Sequence, residues 1–516
     1  MTTHDLALDV LTRVGTPRDA WEITAQLEVM GLRDADARTG YGHRDLFDLG
    51  RAIYDLCTTG ALACPPEPDD PPKKPTSFFT HYAKGSVFAI PMLLQAAAIL
   101  TWGYGLWGGR DVDVRTGTAI ALGFVGSYVL TGGFVQAITR RGLFYIYQQE
   151  SGLARWVVLR GWWLGARIVL GLIVPALAFN ALYGLLPWDL FLVATLYYAS
   201  LSLLWLNWSM VYVAGQRYWI AIVTAAALGV VVMLARNRGW NIIAANTAGL
   251  AVAAVLSFVM GVHALGGFGR LTPHNPPRIT VLVYSTSRWF LYGLLYNAFV
   301  FADRIVAWTA RTGREDLPPY SFWLSPRYEL GMDLALVVVM ILSGAVEAAV
   351  QTFSERLVPV EKSLASDERE RFSAWFTAFY RRRLALIVVA AIVAIAGARA
   401  CVTLVSHLPD QDIRTGMTSA SAMTAFWLGA IGYALLMPAM QNTLLLLTLS
   451  RVELAVRAVA IALAANLTAG FICSRAIFYA DAAAGLVAGS AVLFVITWLD
   501  VRRVGARLDY HYFAAF

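Results

Sequence analysis

The sequence predicts an all-α polytopic membrane protein, with twelve transmembrane helices in two six-helix lobes preceded by a small helical cytoplasmic domain. Three observations carry this prediction. Apolar residues make up 58% of the 516 and charged residues only 15%, against roughly 25% charged in an average soluble domain. From Ser86 onward, apolar stretches of about twenty residues, each able to cross a ~30 Å hydrocarbon layer, follow one another with short polar breaks. The charge is also divided: residues 1–85 carry 9 Lys/Arg and 13 Asp/Glu, net −4, and the remainder carries net +11. A water-soluble surface on so long a chain needs more charge than this, which excludes soluble globular, disordered and nucleic-acid-binding classes. The four cysteines are dispersed and form no CxxC pair, so neither a disulfide framework nor a zinc site is expected.

The amino-terminal segment lacks a basic n-region followed by an apolar h-region, so no cleavable signal is expected and this end should stay in the cytoplasm. Thr16-Pro17 reads as a cap and first-turn proline, with Ala20, Trp21, Ile23, Leu27 and Met30 at helical spacing until Gly31. Asp45 to Cys57 predicts a second helix with Leu46, Leu49, Ile53 and Leu56 on one face. Two or three short helices thus form an acidic domain over residues 1–63, a regulatory or partner-docking module or a solubilising appendage. Six of the 19 prolines fall between Pro65 and Pro75 and make 64–80 an extended linker.

The predicted spans are 86–107, 116–138, 161–185, 188–214, 216–235, 241–264, 287–308, 328–353, 384–407, 422–449, 452–472 and 476–499. Within lipid they must be helices, because each backbone polar group has to be satisfied inside its own segment. The first lobe covers 81–264, a cytoplasmic linker 265–286, and the second lobe with a short tail 287–516. With the amino terminus inside, 28 basic residues lie on the inner side and 10 on the outer, a bias that places both termini in the cytoplasm and the chain in the inner membrane. The long inner breaks follow spans 2 and 8. There Gln136-Ala-Ile-Thr139-Arg140-Arg141 and Gln351-Thr-Phe-Ser354-Glu355-Arg356 share the pattern Q-x-x-[S/T]-x-R, as duplication of a six-helix unit would produce.

ITRRGLFYIYQQE from Ile138 to Glu150, WFLYGLLYNAFVFADRIVAW from Trp289 to Trp308 and YELGMDLALVVVMILSGAVEAAVQTFSERL from Tyr328 to Leu357 resemble the multidrug/oligosaccharidyl-lipid/polysaccharide flippase superfamily, and within it the Pel-type exopolysaccharide transporters. With the helix count, the resemblance covers about residues 80 to 505. It implies two six-helix lobes, a cavity lined by spans 1, 2, 7 and 8, and Glu347, Asp303, Arg304, Asp333 and Gln351 as candidate lining groups. The amino-terminal domain and linker depart from the family's usual start at the first membrane helix.

Charged groups within a span cost ~2.5 to 3.5 kcal/mol at its centre and need a partner, a hydrated cavity or an escape to the interface. Glu347 in span 8 and Arg167 in span 3 stand at such depth; each lines a polar cavity or serves a structural pair, and Arg167 also has the reach to snorkel. Asp303 and Arg304 are adjacent, roughly 100° apart around a helix, and so should have separate partners. Glu453 and Arg457 are spaced as a local i,i+4 pair. Two DxD patterns, Asp111-Val112-Asp113 and Asp410-Gln411-Asp412, face outward; paired carboxylates of this kind can bind a cation that neutralises a sugar phosphate, but with Arg110 and Arg115 flanking the first pair in a short loop, solvated loop carboxylates are the favoured reading. Gly103-Tyr-Gly105-Leu-Trp-Gly108 matches GxGxxG but ends a membrane helix, so it reads as a turn. His263 reads as an interfacial residue.

The leading expectation is a transporter, not an enzyme, that moves a polysaccharide or lipid-linked saccharide outward by alternating exposure of a central cavity, with no cofactor and no metal. Its expected partners are the lipid bilayer, the saccharide and a cytoplasmic polysaccharide synthase, with no nucleic acid. The competing expectations are an integral-membrane glycosyltransferase using Asp111 and Asp113, and a scaffold that recruits a synthase.

Overall fold

The computed structural model describes residues 3–15, 17, 19–62, 77–110, 112–268, 277–311, 322–362, 369–407, 414–416 and 418–513; the proline-rich linker falls almost entirely outside this set. Four short helices come first: α1 (Thr3–Val14), α2 (Ala20–Val29), α3 (Asp34–Tyr41) and α4 (Leu46–Thr58). They bury Leu6, Leu11, Ile23, Leu27, Leu46, Leu49 and Ile53 against one another. Asp19 caps α2 by accepting the Glu22 amide at 2.9 Å, and Asp45 caps α4 by accepting the Asp48 amide at 2.8 Å; Thr16, the cap expected from sequence, lies outside the described residues. Trp21 points away from this core and is exposed, packing edge-on against Phe47.

The apolar part forms α5 (Phe78–Ser86), α6 (Ile90–Trp102), α7 (Val114–Tyr147), α8 (Ser151–Gly171), α9 (Ile173–Tyr183), α10 (Trp188–Val213), α11 (Tyr218–Val232), α12 (Ile242–Gly266), α13 (Ile279–Thr309), α14 (Pro326–Lys362), α15 (Arg369–Ser406), α16 (Ala420–Thr448), α17 (Val452–Ala476) and α18 (Ala484–Gly505), and a terminal turn α19 (Leu508–Phe513). Among the described residues eleven spans are long and apolar enough to cross a membrane, and α5 with α6, bent by 54°, make a twelfth when counted together as one broken span. The bend falls where Pro91 enters the first turn of α6. The stretches expected as long inner breaks are largely helical: α7 runs to Tyr147 and α8 resumes at Ser151, and α14 runs to Lys362. At 1.5 Å per residue a 34-residue helix such as α7 is about 50 Å long, so the spans continue past the hydrocarbon layer at the end rich in arginine, hereafter the basic end.

Two lobes follow from which helices pack together. In the first, α7 packs on α10 and α8, α10 on α12, α12 on α11, and α6 on α11. In the second, α14 packs on α16 and α15, α16 on α18, α18 on α17, and α13 on α17. Each pair recurs six spans later. The lobes meet along two seams, α7 with α13 and α5 with α14. On the first seam the backbones touch: a Cβ on Gly293 would lie 2.3 Å from the Gly132 carbonyl oxygen, so only glycine permits the approach that lets Asn297 donate to the Tyr128 carbonyl at 2.8 Å. On the second seam α5 and the turn Val87–Ala89 lie against α14, while after the bend α6 turns to α11.

Candidate functional site

Asp303 and Arg304, late in α13, lie inside the second lobe with relative exposures of 0% and 6%. As their angular offset requires, they take different partners. Tyr328, at the start of α14, donates its hydroxyl to Asp303 Oδ2 at 2.7 Å. Arg304 donates to Glu329 and, at 3.0 Å, to Asp333 Oδ1. Trp308, one turn beyond Arg304, donates its indole N–H to Glu329 Oε1 at 2.7 Å, and Tyr433 of α16 packs into the same core as Tyr328. The positions follow from helical repeat: Asp303 and Arg304 turn to neighbouring sectors of α13, while Glu329 and Asp333, four apart, share one face of α14.

The charges in this cluster do not cancel. Three carboxylates surround one guanidinium, and Asp303 Oδ1, fully buried, has no hydrogen-bond partner among the described residues. A buried acceptor left unpaired is costly, and the two carboxylates held inside, Asp303 and Glu329, outnumber the one guanidinium, so the arrangement is a seat for positive charge. The acidic groups do not converge in a metal-holding set among the described residues. A proton, which needs one oxygen and no coordination shell, suits the geometry. Asp333 is the open edge of the cluster, its side chain 62% exposed.

Glu347 lies elsewhere, at the seam between lobes. Its Oε1 accepts from Arg217 at 3.1 Å and from Gln351 at 3.0 Å. Arg217 stands in the turn between α10 and α11 of the first lobe, braced by the Tyr212 ring 4.5 Å away. Gly85 of α5 is what admits the glutamate, since a Cβ there would meet Glu347 Cβ at 2.5 Å. Two further contacts join the lobes near this end: Arg140 donates to Ser450 Oγ at 3.0 Å and lies 4.5 Å over the Trp289 ring, and His81 is 3.1 Å from Glu355. Arg167 joins neither group; it is exposed on α8 with Trp163 5.8 Å away.

Other sequence features have local explanations. Asp113 caps α7, its carboxylate accepting the Thr116 amide at 3.1 Å; hydrogen bonds from Thr116 hold its carboxyl below the ordinary range. Asp111, Asp410 and Asp412 lie outside the described residues. The glycine motif is a tight turn in which Gly103 adopts φ +81° and its carbonyl accepts the Arg110 amide at 2.8 Å. His263 is exposed near the end of α12. Glu453 and Arg457 do not pair with each other: Arg457 holds Asp500 of α18 at 2.8 Å and Glu453 meets Arg288 of α13, because both point to neighbouring helices that offer an opposite charge.

Residues 80–513 match the PelG family, described as an exopolysaccharide exporter (EPS-E). No curated protein matches the chain by sequence. Among solved structures it is similar to an inward-facing multidrug resistance MATE family transporter of the MOP superfamily (13% identity, 82% of this chain and 98% of that one, TM-score 0.55). It is also similar to a MOP superfamily transporter from Pyrococcus furiosus (14% identity, 84% and 97%, TM-score 0.58) and to the VcmN MATE transporter of Vibrio cholerae (13% identity, 84% and 100%, TM-score 0.54). At these identities the likeness is one of fold.

Proposed function

Because the chain belongs to the PelG family of exopolysaccharide exporters and is a multi-pass membrane transporter of the MATE-like, two-lobed fold, we propose that it moves saccharide outward by alternating access, driven by protons exchanged at Asp303. The observation that carries this reading is the unpartnered, fully buried Oδ1 of Asp303 within a cluster of three carboxylates and one arginine. Taking up a proton removes one buried negative charge, which frees Arg304 to redistribute its hydrogen bonds between Glu329 and Asp333. That changes the ties between α13 and α14, whose other ends form the two seams between lobes. Arg217, Glu347 and Gln351 are the latch that closes the basic end, and they must part when that end opens.

In this reading the basic end is cytoplasmic, both termini are cytoplasmic in the inner membrane, and the acidic amino-terminal helices face the synthase that supplies the polymer. The 28 to 10 distribution of basic residues supports the orientation. No bond is broken by the protein; the commitment of Asp113 to capping α7 speaks against the glycosyltransferase alternative. The test is Asp303→Asn, which keeps the shape and the bond from Tyr328 but cannot exchange a proton. Secreted polysaccharide should fall at least ten-fold at equal membrane abundance and unchanged thermal stability. Undiminished secretion would remove Asp303 from the mechanism.

A further inference from the structure

The basic end of the second lobe carries a pocket of about 250 Å³ that transport at Asp303 does not use. It is lined by Arg356 of α14 and by Trp375, Phe379, Arg382, Arg383 and Leu386 of α15. Three guanidinium groups thus face one small space, with no carboxylate among the described residues of its lining. Arg356 and Arg383 repel each other. Neither Arg356 nor Arg382 has a hydrogen bond or ion pair among the described residues, while Arg383 is held by the Phe379 and Phe78 rings, 5.4 and 5.9 Å away. Like charges gathered with no counter-ion among the described residues raise the energy of the site until an anion enters.

The helix that lines the pocket also indicates which anion. Trp375, Phe379, Arg382 and Leu386 are spaced by four, three and four residues, so they form one stripe along α15. The stripe continues as Val389 and Val393, which are 61% and 64% exposed. Along a single face the order is aromatic, basic, then aliphatic, the profile of a membrane interface crossed from headgroup to acyl chain. A soluble phosphate would use the arginines and leave the aliphatic part of the stripe unexplained. The first lobe offers a contrast. Arg141, at the position of the duplicated motif that Arg356 holds in the second, already donates to the Tyr145 hydroxyl at 3.1 Å and shares its pocket with α2.

We propose that this pocket binds the phosphate of an anionic membrane lipid, with Arg356, Arg382 and Arg383 on the headgroup and the acyl chains along Leu386, Val389 and Val393. Full-length protein reconstituted in phosphatidylcholine containing one-tenth phosphatidylglycerol, then released into detergent, should retain phosphatidylglycerol at least five-fold above its bilayer proportion by native mass spectrometry. Arg356→Gln with Arg382→Gln, both on exposed side chains, should abolish the enrichment, and the matching lysine pair should restore most of it. Should the double variant fail to fold, Arg382→Gln alone should lower enrichment at least two-fold. Enrichment unchanged by these substitutions would overturn the assignment. So would stabilisation of the lipid-free protein by inorganic phosphate without enrichment of the lipid, since that result describes a soluble-anion site.

Discussion

Asp303 and Arg304 were legible from the sequence as a pair that must part company, because adjacent helical positions diverge by about 100°. Their partners were not. Glu329 sits at the first turn of a helix, where a carboxylate ordinarily needs no explanation, and Tyr328, Trp308 and Tyr433 are aromatic residues that an apolar span absorbs without comment. The available signal was the i,i+4 spacing of Glu329 and Asp333, which puts two carboxylates on one face of a buried helix. Arg217 is, by sequence, one more basic residue of the inner side, and nothing local links it to Glu347, 130 positions away. The pair's side chains are 24% and 20% exposed, so breaking it should cost about 1–3 kcal/mol, between the exposed and fully buried cases. Glu347→Gln and Arg217→Gln should each lower detergent-phase stability by that amount, and the double variant should be no worse than either. The charge swap Glu347→Arg with Arg217→Glu should recover export. Strictly additive losses would mean that the two side chains do not work together.

At the scale of elements, the number and order of spans were readable because a bilayer demands about twenty apolar residues per crossing, and the helix ends beyond the bilayer were not, because hydropathy is silent where polar sequence remains helical. The residues after span 2 and after span 8 look like loops by composition, yet i→i+4 bonding continues through them and gives α7 and α14 their length. The contact between α7 and α13 rests on Gly132 and Gly293. A helix interior normally gains about 0.5–1 kcal/mol when alanine replaces glycine, and Gly229, with nothing within 4 Å of its missing Cβ, should behave so. Gly293→Ala should instead lower stability by about 1–3 kcal/mol through overpacking and reduce export. Equal responses at the two positions in thermal unfolding would show that the seam tolerates separation.

For the whole molecule, the duplication glimpsed in two six-residue motifs reappears as a repeated set of neighbouring helices, and under the proposed mechanism this repeat gives one chain two ends that open in turn. The lobes touch along a pair of seams, one close-packed through glycine and one divided by the bend between α5 and α6. In the proposed mechanism, rocking about the first seam opens or closes the second. The amino-terminal helices pack among themselves, as their apolar spacing indicated, and their bond from Arg13 to Glu150 at the α7–α8 turn was beyond any sequence signal. Alternating access is tested most directly by pulsed electron–electron distance measurements in lipid nanodiscs on two spin-label pairs, Tyr147→Cys with Arg381→Cys at the basic end and Trp102→Cys with Arg327→Cys at the other. Breaking the latch with Glu347→Gln should lengthen the first distance while shortening the second, each by several ångströms. Distances that stay fixed, or that lengthen together, would contradict alternating access through these two seams.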